Sequence, residues 1–218
     1  MLAEQMLQGK IFGSMFVPLT NIEEYMNVYF NFNLYPTMGG MVAKLVEIYD
    51  SFTKPASICI IGLDGAGKTH VLYALSMGQP LDNSIPTIGF NVETIQCKST
   101  TIQAWDLGGQ NRLREMWSYY YDEVSGIIFV VDSVDKDRFD EARIELQRIL
   151  TDKRLENIPV LVLANKQDVR GYAASVDDVK NALGINNYMM KDIHIVGCSA
   201  LRNERVVLGM EWLANHIK

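Results

Sequence analysis

Short apolar runs and amphipathic patterns alternate along the chain from Pro55 to its end. Four runs have the length of a β-strand and are apolar at nearly every position: "SICIIG" (57–62), "GIIFVVD" (126–132), "VLVLAN" (160–165) and "IHIVGC" (193–198). Such runs are typical of parallel strands that are buried on both faces. The stretch "NVETIQCKSTTIQAWD" (91–106) instead divides into two strands around the polar turn "KSTT", which predicts an antiparallel hairpin at one edge of the sheet.

Helical patterns occupy the segments between these strands. We predict helices over Lys68 to Met77, Asp137 to Leu150 and Val206 to Ile217. A shorter helix should begin at Ser175, because "SVDD" offers a capping serine and an acid three residues later. Alternating strands and helices build three layers, so the pattern predicts an α/β fold with a mixed, mostly parallel six-stranded sheet and helices on both faces.

Residues 1–37 differ in kind from the rest of the chain. Residues 1–37 carry little charge and many methionines, asparagines and aromatics, and we assign them no regular structure. In residues 38–54 an amphipathic helix is predicted, because one face of a helical wheel collects Met41, Val42, Leu45, Val46, Ile48, Tyr49 and Phe52. The chain thus divides into an N-terminal extension (1–37), an amphipathic helix (38–54) and one globular domain (55–218). The apolar face of that helix can pack on the domain or on a membrane, and both can hold in turn.

Composition narrows the classes of function. A formal net charge of −6 on 218 residues argues against nucleic acid as a partner and gives no attraction to acidic lipid. Cys59, Cys97 and Cys198 are far apart and odd in number, which favours three buried thiols in a reducing compartment over a disulfide framework or a zinc site. No apolar run approaches the ~20 residues of a membrane-spanning helix.

A glycine-rich loop contains the first candidate ligand-binding residues. "GLDGAGKT" follows an apolar strand and precedes a helix, which is the context of a phosphate-binding loop. Its glycines let backbone N–H groups surround phosphates, Lys68 would reach the β- and γ-phosphates, and the Thr69 hydroxyl would hold Mg²⁺. The alternative is a plain turn between strand and helix. The residues assigned to the nucleotide here are Gly62, Leu63, Asp64, Gly65, Ala66, Gly67, Lys68 and Thr69. His70, which begins the helix, is expected not to touch phosphate.

A second motif, "NKQD", follows another buried strand and indicates guanine as the base. The Asp168 carboxylate can accept from both the ring N–H and the exocyclic amine of guanine, whereas adenine offers no such pair of donors. Asn165 would tie the loop together, and the Lys166 stem can lie over the base. In "CSA" (198–200), which ends the next strand, Ser199 and Ala200 could offer backbone N–H groups to the guanine oxygen.

Two further loops have the residues to sense a third phosphate. "IPTIGFNVE" (85–93) supplies Thr87, whose hydroxyl could complete the Mg²⁺ shell. "WDLGGQ" (105–110) supplies Asp106 at a strand end that faces the metal, Gly109 with an N–H for the γ-phosphate, and Gln110, which can orient a water for in-line attack. The alternative for Gln110 is a surface glutamine in a flexible loop.

These motifs, in this order, resemble the ADP-ribosylation factor and Arf-like small GTPases of the Ras superfamily, over Met38 to Lys218. The resemblance implies the small G-protein form of the P-loop NTPase fold. It also implies a switch that binds GTP or GDP with Mg²⁺ and hydrolyses GTP slowly in vesicle-mediated transport. An exchange factor, a GTPase-activating protein and effectors are the implied partners. Phe90, Trp105 and Tyr120 match the family's effector-facing aromatic trio; the alternative for Tyr120 is a place in the core.

Two expectations concern hydrolysis. Asp64 puts a carboxylate into the phosphate loop, which we expect to keep unaided hydrolysis slow, so that Asp64→Gly should raise the intrinsic turnover. No arginine is an obvious candidate to act on the phosphates in cis. One supplied in trans by an activating protein could then accelerate hydrolysis by ~10³ to 10⁵.

Membrane attachment is expected at the N-terminal side. The last twenty residues hold no cysteine, so prenylation is not expected. "MGGMVA" (38–43) offers Gly39 for myristoylation, which needs a free glycine amine and therefore Met38 as the working start. The resemblance implies a cytoplasmic protein that associates with membranes reversibly in its GTP state, with the Golgi as one expected location.

Two other classes of function were weighed. A pseudo-GTPase scaffold would bind partners irrespective of nucleotide, but the presence of Lys68, Thr69, Thr87, Gln110 and Asp168 speaks against it. A metabolic P-loop kinase would need a second substrate site or a lid, and nothing in the sequence resembles either.

Overall fold

The computed structural model describes residues 55–79, 87, 89–98, 100–188 and 191–217. The predicted extension (1–37), the amphipathic helix (38–54) and Gly39 lie outside the described residues, and so do Ile85, Pro86 and Ile88 of "IPTIGFNVE".

Six strands form one mixed sheet, as predicted. Their bounds are Ala56–Ile61 (β1), Phe90–Cys97 (β2), Thr100–Leu107 (β3), Gly126–Asp132 (β4), Val160–Asn165 (β5) and Ile193–Gly197 (β6). Their order across the sheet is β2-β3-β1-β4-β5-β6. Only β2 and β3 pair antiparallel, with Phe90 opposite Leu107 and Cys97 opposite Thr100, and the other neighbours are parallel. The hairpin therefore supplies the antiparallel edge.

Helices and 3₁₀ turns lie between the strands. The α-helices are Lys68–Met77 (α1), Asn111–Arg114 (α2), Phe139–Thr151 (α3), Val176–Ala182 (α4) and Val206–His216 (α5). The 3₁₀ segments are Glu115–Glu123, Lys136–Arg138, Lys153–Leu155 and Ile185–Tyr188. The predicted bounds of α1 match, whereas the helix expected from Asp137 begins at Phe139 because a 3₁₀ turn precedes it. No pattern had predicted α2 or the long 3₁₀ segment after it.

The capping box at the start of α4 is present. Ser175 Oγ accepts from the Asp178 N–H at 3.1 Å, and Asp178 Oδ2 accepts from the Ser175 N–H at 3.3 Å. The two side chains thus satisfy backbone donors that a helix start leaves without partners.

Alternate residues of the central strands point to opposite faces, and each face has its own core. Ile127, Phe129 and Val131 of β4 pack with α3, α4 and the Glu115–Glu123 segment. Ile128 and Val130 of the same strand pack with α1 and α5. A strand that is buried on both sides needs apolar residues throughout, which explains the unbroken apolar runs in the sequence.

The parallel strands all end at one edge of the sheet, because their chain directions agree. The loops that follow β1, β3, β4, β5 and β6 therefore meet there. Open α/β sheets bind their ligands at this edge.

All three cysteines are buried free thiols, and burial raises the pKa of each. For Cys59 and Cys198 the pKa rises from an ordinary value of 9.0 to about 12. The thiolate is the reactive form. This rise in pKa therefore lowers the thiolate fraction by a factor of roughly 10³ at a given pH.

We therefore expect Cys59 and Cys198 to resist a thiol reagent such as iodoacetamide at pH 8 in the folded chain and to react in guanidinium chloride. Peptide mass spectrometry, read cysteine by cysteine, measures both rates. Equal rates in the folded and unfolded chain would show that these thiols are not buried.

Candidate nucleotide-binding site

The loop 62–69 joins β1 to α1 and depends on glycine at two close approaches. Gly62 has φ 144°, and a Cβ there would collide with the Val130 carbonyl oxygen of β4. Gly67 has φ 93°, and its Cβ would lie 2.5 Å from Asn165 Nδ2. Glycine at both positions lets the loop lie against the ends of β4 and β5.

Asn165, at the end of β5, binds the phosphate loop through a side-chain hydrogen bond. Its Nδ2 donates to the Ala66 carbonyl at 2.9 Å, and its Oδ1 accepts from the Ala200 N–H at 2.9 Å. The residue that was expected to tie the base loop together therefore joins that loop to the phosphate loop and to the segment after β6.

Lys68 lies buried beneath the phosphate loop. Its Nζ donates to the Leu63 carbonyl at 2.9 Å. Burial lowers the pKa of Lys68 to about 8, while the Asp106 and Asp64 carboxylates act in the opposite direction. Bound phosphates would bring further negative charge to this ammonium group and so favour its charged form.

Asp106, at the end of β3, is fully buried and collects three polar side chains on one oxygen. Its Oδ2 accepts from Thr69 Oγ1 at 2.7 Å, from Asn91 Nδ2 at 3.2 Å and from Thr87 Oγ1 at 3.3 Å. The two threonine hydroxyls are also 2.9 Å apart. Burial raises the pKa of Asp106, and the hydrogen bond from Thr69 and the charge of Lys68 oppose that rise.

The second oxygen of this carboxylate has no partner. Asp106 Oδ1 is one of three buried side-chain oxygens without a hydrogen bond among the described residues. A buried carboxylate oxygen and two hydroxyls offer the hard oxygen donors that Mg²⁺ prefers. The residues present therefore fit a magnesium ion at this corner of the site.

Asp168 lies in the loop after β5, and Ser199 and Lys166 lie beside it. Ser199 Oγ donates to Asp168 Oδ1 at 2.6 Å, which holds the carboxylate in place. Lys166 has a left-handed backbone (φ 66°), and its Nζ donates to Asp132 Oδ2 at 2.6 Å. Lys166 also lines a cleft together with Asp168 and Ala200.

The backbone N–H groups of "CSA" are all engaged inside the protein. Cys198 donates to the Ala164 carbonyl at 3.0 Å, Ser199 to the Glu204 carbonyl at 3.1 Å and Ala200 to Asn165 Oδ1 at 2.9 Å. A contact from Ala200 to the guanine oxygen stays a prediction. It requires Asn165 Oδ1 to share or release that N–H.

Two adjoining clefts lie over these residues. The larger, about 470 Å³, is lined by the phosphate loop, Thr87, Gly109, Gln110 and Lys166. The smaller, about 170 Å³, is lined by Asn165, Lys166, Asp168, Val169, Ala200 and Leu201. His70 lines both clefts. The expectation that His70 does not touch phosphate stays a prediction.

The segment Gly108–Gly109–Gln110 closes over the phosphate loop. A Cβ at Gly109 would clash with Lys68 Nζ and would lie 2.5 Å from the Gly62 carbonyl oxygen, so only glycine fits this approach. Gln110 is exposed, precedes α2 and lines the larger cleft. Its side chain can therefore reach a ligand there.

Phe90, Trp105 and Tyr120 form one aromatic cluster on the β2–β3 edge. Ring centroids are 5.6 Å apart for Phe90–Trp105 and Trp105–Tyr120, and 6.2 Å apart for Phe90–Tyr120. Phe90 is exposed, whereas Trp105 and Tyr120 are half-buried and pack against the core. Tyr120 packs against the core and also contacts the two other rings, and its effector-facing role stays a prediction.

Several site contacts were not predicted from the sequence. They are those of Asn91 with Asp106, Ser199 with Asp168, Lys166 with Asp132, and Arg114 and Arg138 with Asp64. Each joins residues that are 15 to 74 positions apart, so no local pattern shows it. Only Asp132, a charged residue at the end of the apolar run 126–132, carried a usable signal.

Among the described residues, no helix combines the length and the apolar character that crossing a membrane requires.

Comparison with known proteins places these features in a family. A model of the ADP-ribosylation factor family matches residues 42–217. ADP-ribosylation factor K of Dictyostelium discoideum is 42% identical over 164 residues, which is 75% of this chain and 86% of that protein. ADP-ribosylation factor J of the same organism is 37% identical over 184 residues, with 84% and 96% covered. Among solved structures, the chain is similar to the Arl6 BBS3 small GTPase from Trypanosoma brucei with bound nucleotide analogue GppNp. The two superpose with a TM-score of 0.67 at 28% sequence identity, and the match covers 74% of this chain and 96% of that one.

The position of Asp168 leads to a prediction about base selection. In Asp168→Asn an amide donor replaces one carboxylate oxygen, which suits the carbonyl that xanthine carries in place of the guanine amine. We expect affinity for GDP to fall by ~10- to 100-fold, the value of a charge-assisted hydrogen bond, and affinity for xanthosine diphosphate to rise. Titration of both nucleotides measures the two changes.

Asp177→Asn is the matched control, because Asp177 is an exposed aspartate in the first turn of α4. It should leave both affinities unchanged. If Asp168→Asn binds GDP as tightly as the wild type does, Asp168 does not select the base.

Proposed function

The chain belongs to the ADP-ribosylation factor family, and from this premise we propose that it is a membrane-traffic switch whose GTP state recruits effectors. As a member of that family it binds GTP and GDP with Mg²⁺ and hydrolyses GTP. The observation that carries the proposal is the cluster of Thr69, Thr87 and Asp106, because it joins the phosphate loop to two segments that can respond to a third phosphate.

We assign roles within this site by the contacts that each side chain makes. Thr69 and Thr87 would hold Mg²⁺, and Asp106, which accepts from both hydroxyls, would add its negative charge. When bound, the ion neutralises charge on the β- and γ-phosphates. Lys68 binds those phosphates, and Asp168 binds the base. The loop 62–67, Asn165, Lys166, Ser199 and Ala200 surround the nucleotide.

The response to the third phosphate belongs to Thr87, Gly109 and Gln110. Thr87 precedes β2 and Gly109 follows β3. The start of β2 and the end of β3 are paired, so both lead into the larger cleft. A γ-phosphate that is bound by both would hold the two segments together, and its loss would release them. Gln110 lines the same cleft and orients the attacking water.

The partner surface is the aromatic trio at the β2–β3 edge. Phe90 is 52% exposed, and Tyr119 beside the trio is 78% exposed. Exposed aromatic residues are common anchors of protein interfaces. Since β2 and β3 lead directly into Thr87 and Gly109, an effector bound there would sense the nucleotide. An exchange factor and a GTPase-activating protein complete the cycle.

Membrane association is assigned to residues 38–54, which lie outside the described residues. Their amphipathic pattern would insert an apolar face, and a myristoyl group on Gly39 would add to it. The location that we propose is the cytoplasmic face of a membrane such as the Golgi.

The catalytic part of the proposal is tested on Gln110. Gln110→Leu keeps the size of the side chain but removes the amide that orients water, so single-turnover hydrolysis of preloaded GTP should fall by ~10²-fold or more while GTP binding persists. Gln147→Leu, at an exposed position on α3, is the matched control and should hydrolyse at the wild-type rate.

A pseudo-GTPase scaffold leads to the opposite result. It would show no hydrolysis in the wild type and no difference between GDP and GTP in partner binding. Normal hydrolysis by Gln110→Leu would remove Gln110 from the mechanism without removing the switch.

The membrane part is tested by flotation of the full chain with phosphatidylcholine vesicles. We expect a larger bound fraction with a non-hydrolysable GTP analogue than with GDP, and Val46→Glu, on the apolar face of residues 38–54, should abolish the difference. Equal flotation in both nucleotide states would contradict reversible attachment.

A further inference from the structure

Arg114, the last residue of α2, is buried and surrounded by carboxylates. Its side chain is 4% exposed. The guanidinium donates to Glu141 at 2.8 Å and to Glu145 at 3.5 Å, both on α3, and to Asp64 of the phosphate loop at 3.3 Å. A buried arginine with this many partners is fixed in one geometry.

The same guanidinium also holds the backbone of the γ-phosphate segment. Arg114 Nε donates to the Gly109 carbonyl oxygen at 2.8 Å. The preceding carbonyl, that of Gly108, accepts from Trp117 Nε1 at 3.1 Å. Two side chains that follow Gln110 in the chain therefore fix the two peptide planes before it.

These contacts set the direction of two N–H groups. In a trans peptide the N–H points opposite to the C=O, and the described residues contain no cis peptide. With the Gly108 oxygen on the Trp117 indole, the Gly109 N–H points away from Trp117. With the Gly109 oxygen on Arg114, the Gln110 N–H points away from Arg114. The Gln110 backbone has φ −62° and ψ 143°, so with this peptide plane held its Cβ leaves the backbone in one direction.

Asp64 links this arrangement to the phosphate loop. Its Oδ1 also accepts from Arg138 at 3.1 Å, and its carbonyl oxygen accepts from the same guanidinium at 3.1 Å. Arg138 is held in turn by Asp135 at 2.6 Å. The Asp64 carboxylate, half-exposed, thus joins two arginines, one from α2 and one from the turn before α3.

We propose that Arg114 is a positioning residue of the GTPase reaction: it holds the Gly109 carbonyl against Asp64 and α3 and thereby orients Gln110 towards the attacking water. This inference rests on the proposed role of Gln110. The nucleotide is bound by other residues, so Arg114 acts on the rate of hydrolysis and not on affinity.

Lysine cannot replace arginine in this role. The five donors of a guanidinium reach the Gly109 carbonyl, Asp64 and two glutamates at once, whereas one ammonium group is a point charge that favours one or two of them. Arg114→Lys keeps a positive charge beside Glu145, the buried one of the two glutamates, so it keeps the fold while loosening the Gly109 peptide.

The test is single-turnover hydrolysis of preloaded GTP by the full chain. We expect Arg114→Lys to slow hydrolysis by ~10-fold or more, since small misplacements of reacting groups have effects of this size, while the GDP dissociation rate stays within ~3-fold. Arg114→Met combined with Glu145→Gln removes the buried positive charge together with its buried negative partner. This double variant should slow hydrolysis as Arg114→Lys does. It covers the case in which the lysine variant does not fold.

Arg148→Lys is the matched control. Arg148 donates to both oxygens of Glu145, at 3.2 and 3.1 Å, from the exposed side of α3, and should leave hydrolysis within ~2-fold of the wild type. A loss in this control equal to that in Arg114→Lys would assign the effect to α3 and overturn the positioning role.

A double-mutant cycle separates positioning from general loosening. If Arg114 acts through Gln110, then Arg114→Lys should cause no further loss in the Gln110→Leu background. An equal loss in both backgrounds overturns the proposal. If Arg114→Lys hydrolyses GTP at the wild-type rate, the positioning role is overturned and the proposed switch is not affected. If the wild-type chain does not hydrolyse bound GTP, the proposed function itself is contradicted.

Discussion

The buried carboxylate of Asp106 is the interaction on which the rest of the site depends. Burial of an ionised carboxylate costs several kcal/mol unless polar groups and opposite charge surround it. Thr69, Thr87 and Asn91 supply hydrogen bonds to one oxygen, and Lys68 supplies positive charge. These partners come from α1, from the segment before β2 and from β2 itself, so one anion fixes three parts of the chain around the end of β3.

The site combines two kinds of support. Asn165 ends β5, Asp168 lies in the loop after it, and Lys68 begins the helix that follows β1, so all three are held by parallel strands with apolar cores on both faces. Thr87, Gly109 and Gln110 instead flank the antiparallel edge pair, before β2 and after β3, and Phe90, Thr94 and Gln96 of β2 are exposed along this edge. The base and the first phosphates thus meet the better-buried part of the fold. The third phosphate would contact the more exposed antiparallel edge. A switch needs a small free energy difference between its two conformations, and less buried segments rearrange at the lowest cost.

The sequence predicts those parts of the fold that local physics determines. The unbroken apolar runs gave the buried strands, the "KSTT" turn gave the hairpin, and "SVDD" gave the capping box at Ser175, because each is decided by residues close in the chain. The glycines at 62 and 67 were predicted as phosphate ligands, but the structure adds a second reason for them, since Val130 and Asn165 leave no room for a side chain. The Arg114 network was missed because its residues come from the phosphate loop, the loop after β3, α2, the turn before α3 and α3 itself. They are Asp64, Gly109, Arg114, Arg138, Glu141 and Glu145. His70 lines both clefts, which its place in a helical pattern does not show.

The Asp106 corner is built for a cation between the protein and a nucleotide, as its unpartnered Oδ1 indicates. Titration of GDP into the full chain, first with millimolar Mg²⁺ and then with excess chelator, is the most direct test. We expect tight binding with Mg²⁺, binding weaker by ~10²-fold or more without it, and loss of most of that difference in Asp106→Asn, which keeps the shape of the side chain but removes its charge. Equal GDP affinity with and without Mg²⁺ in the wild-type chain would contradict it.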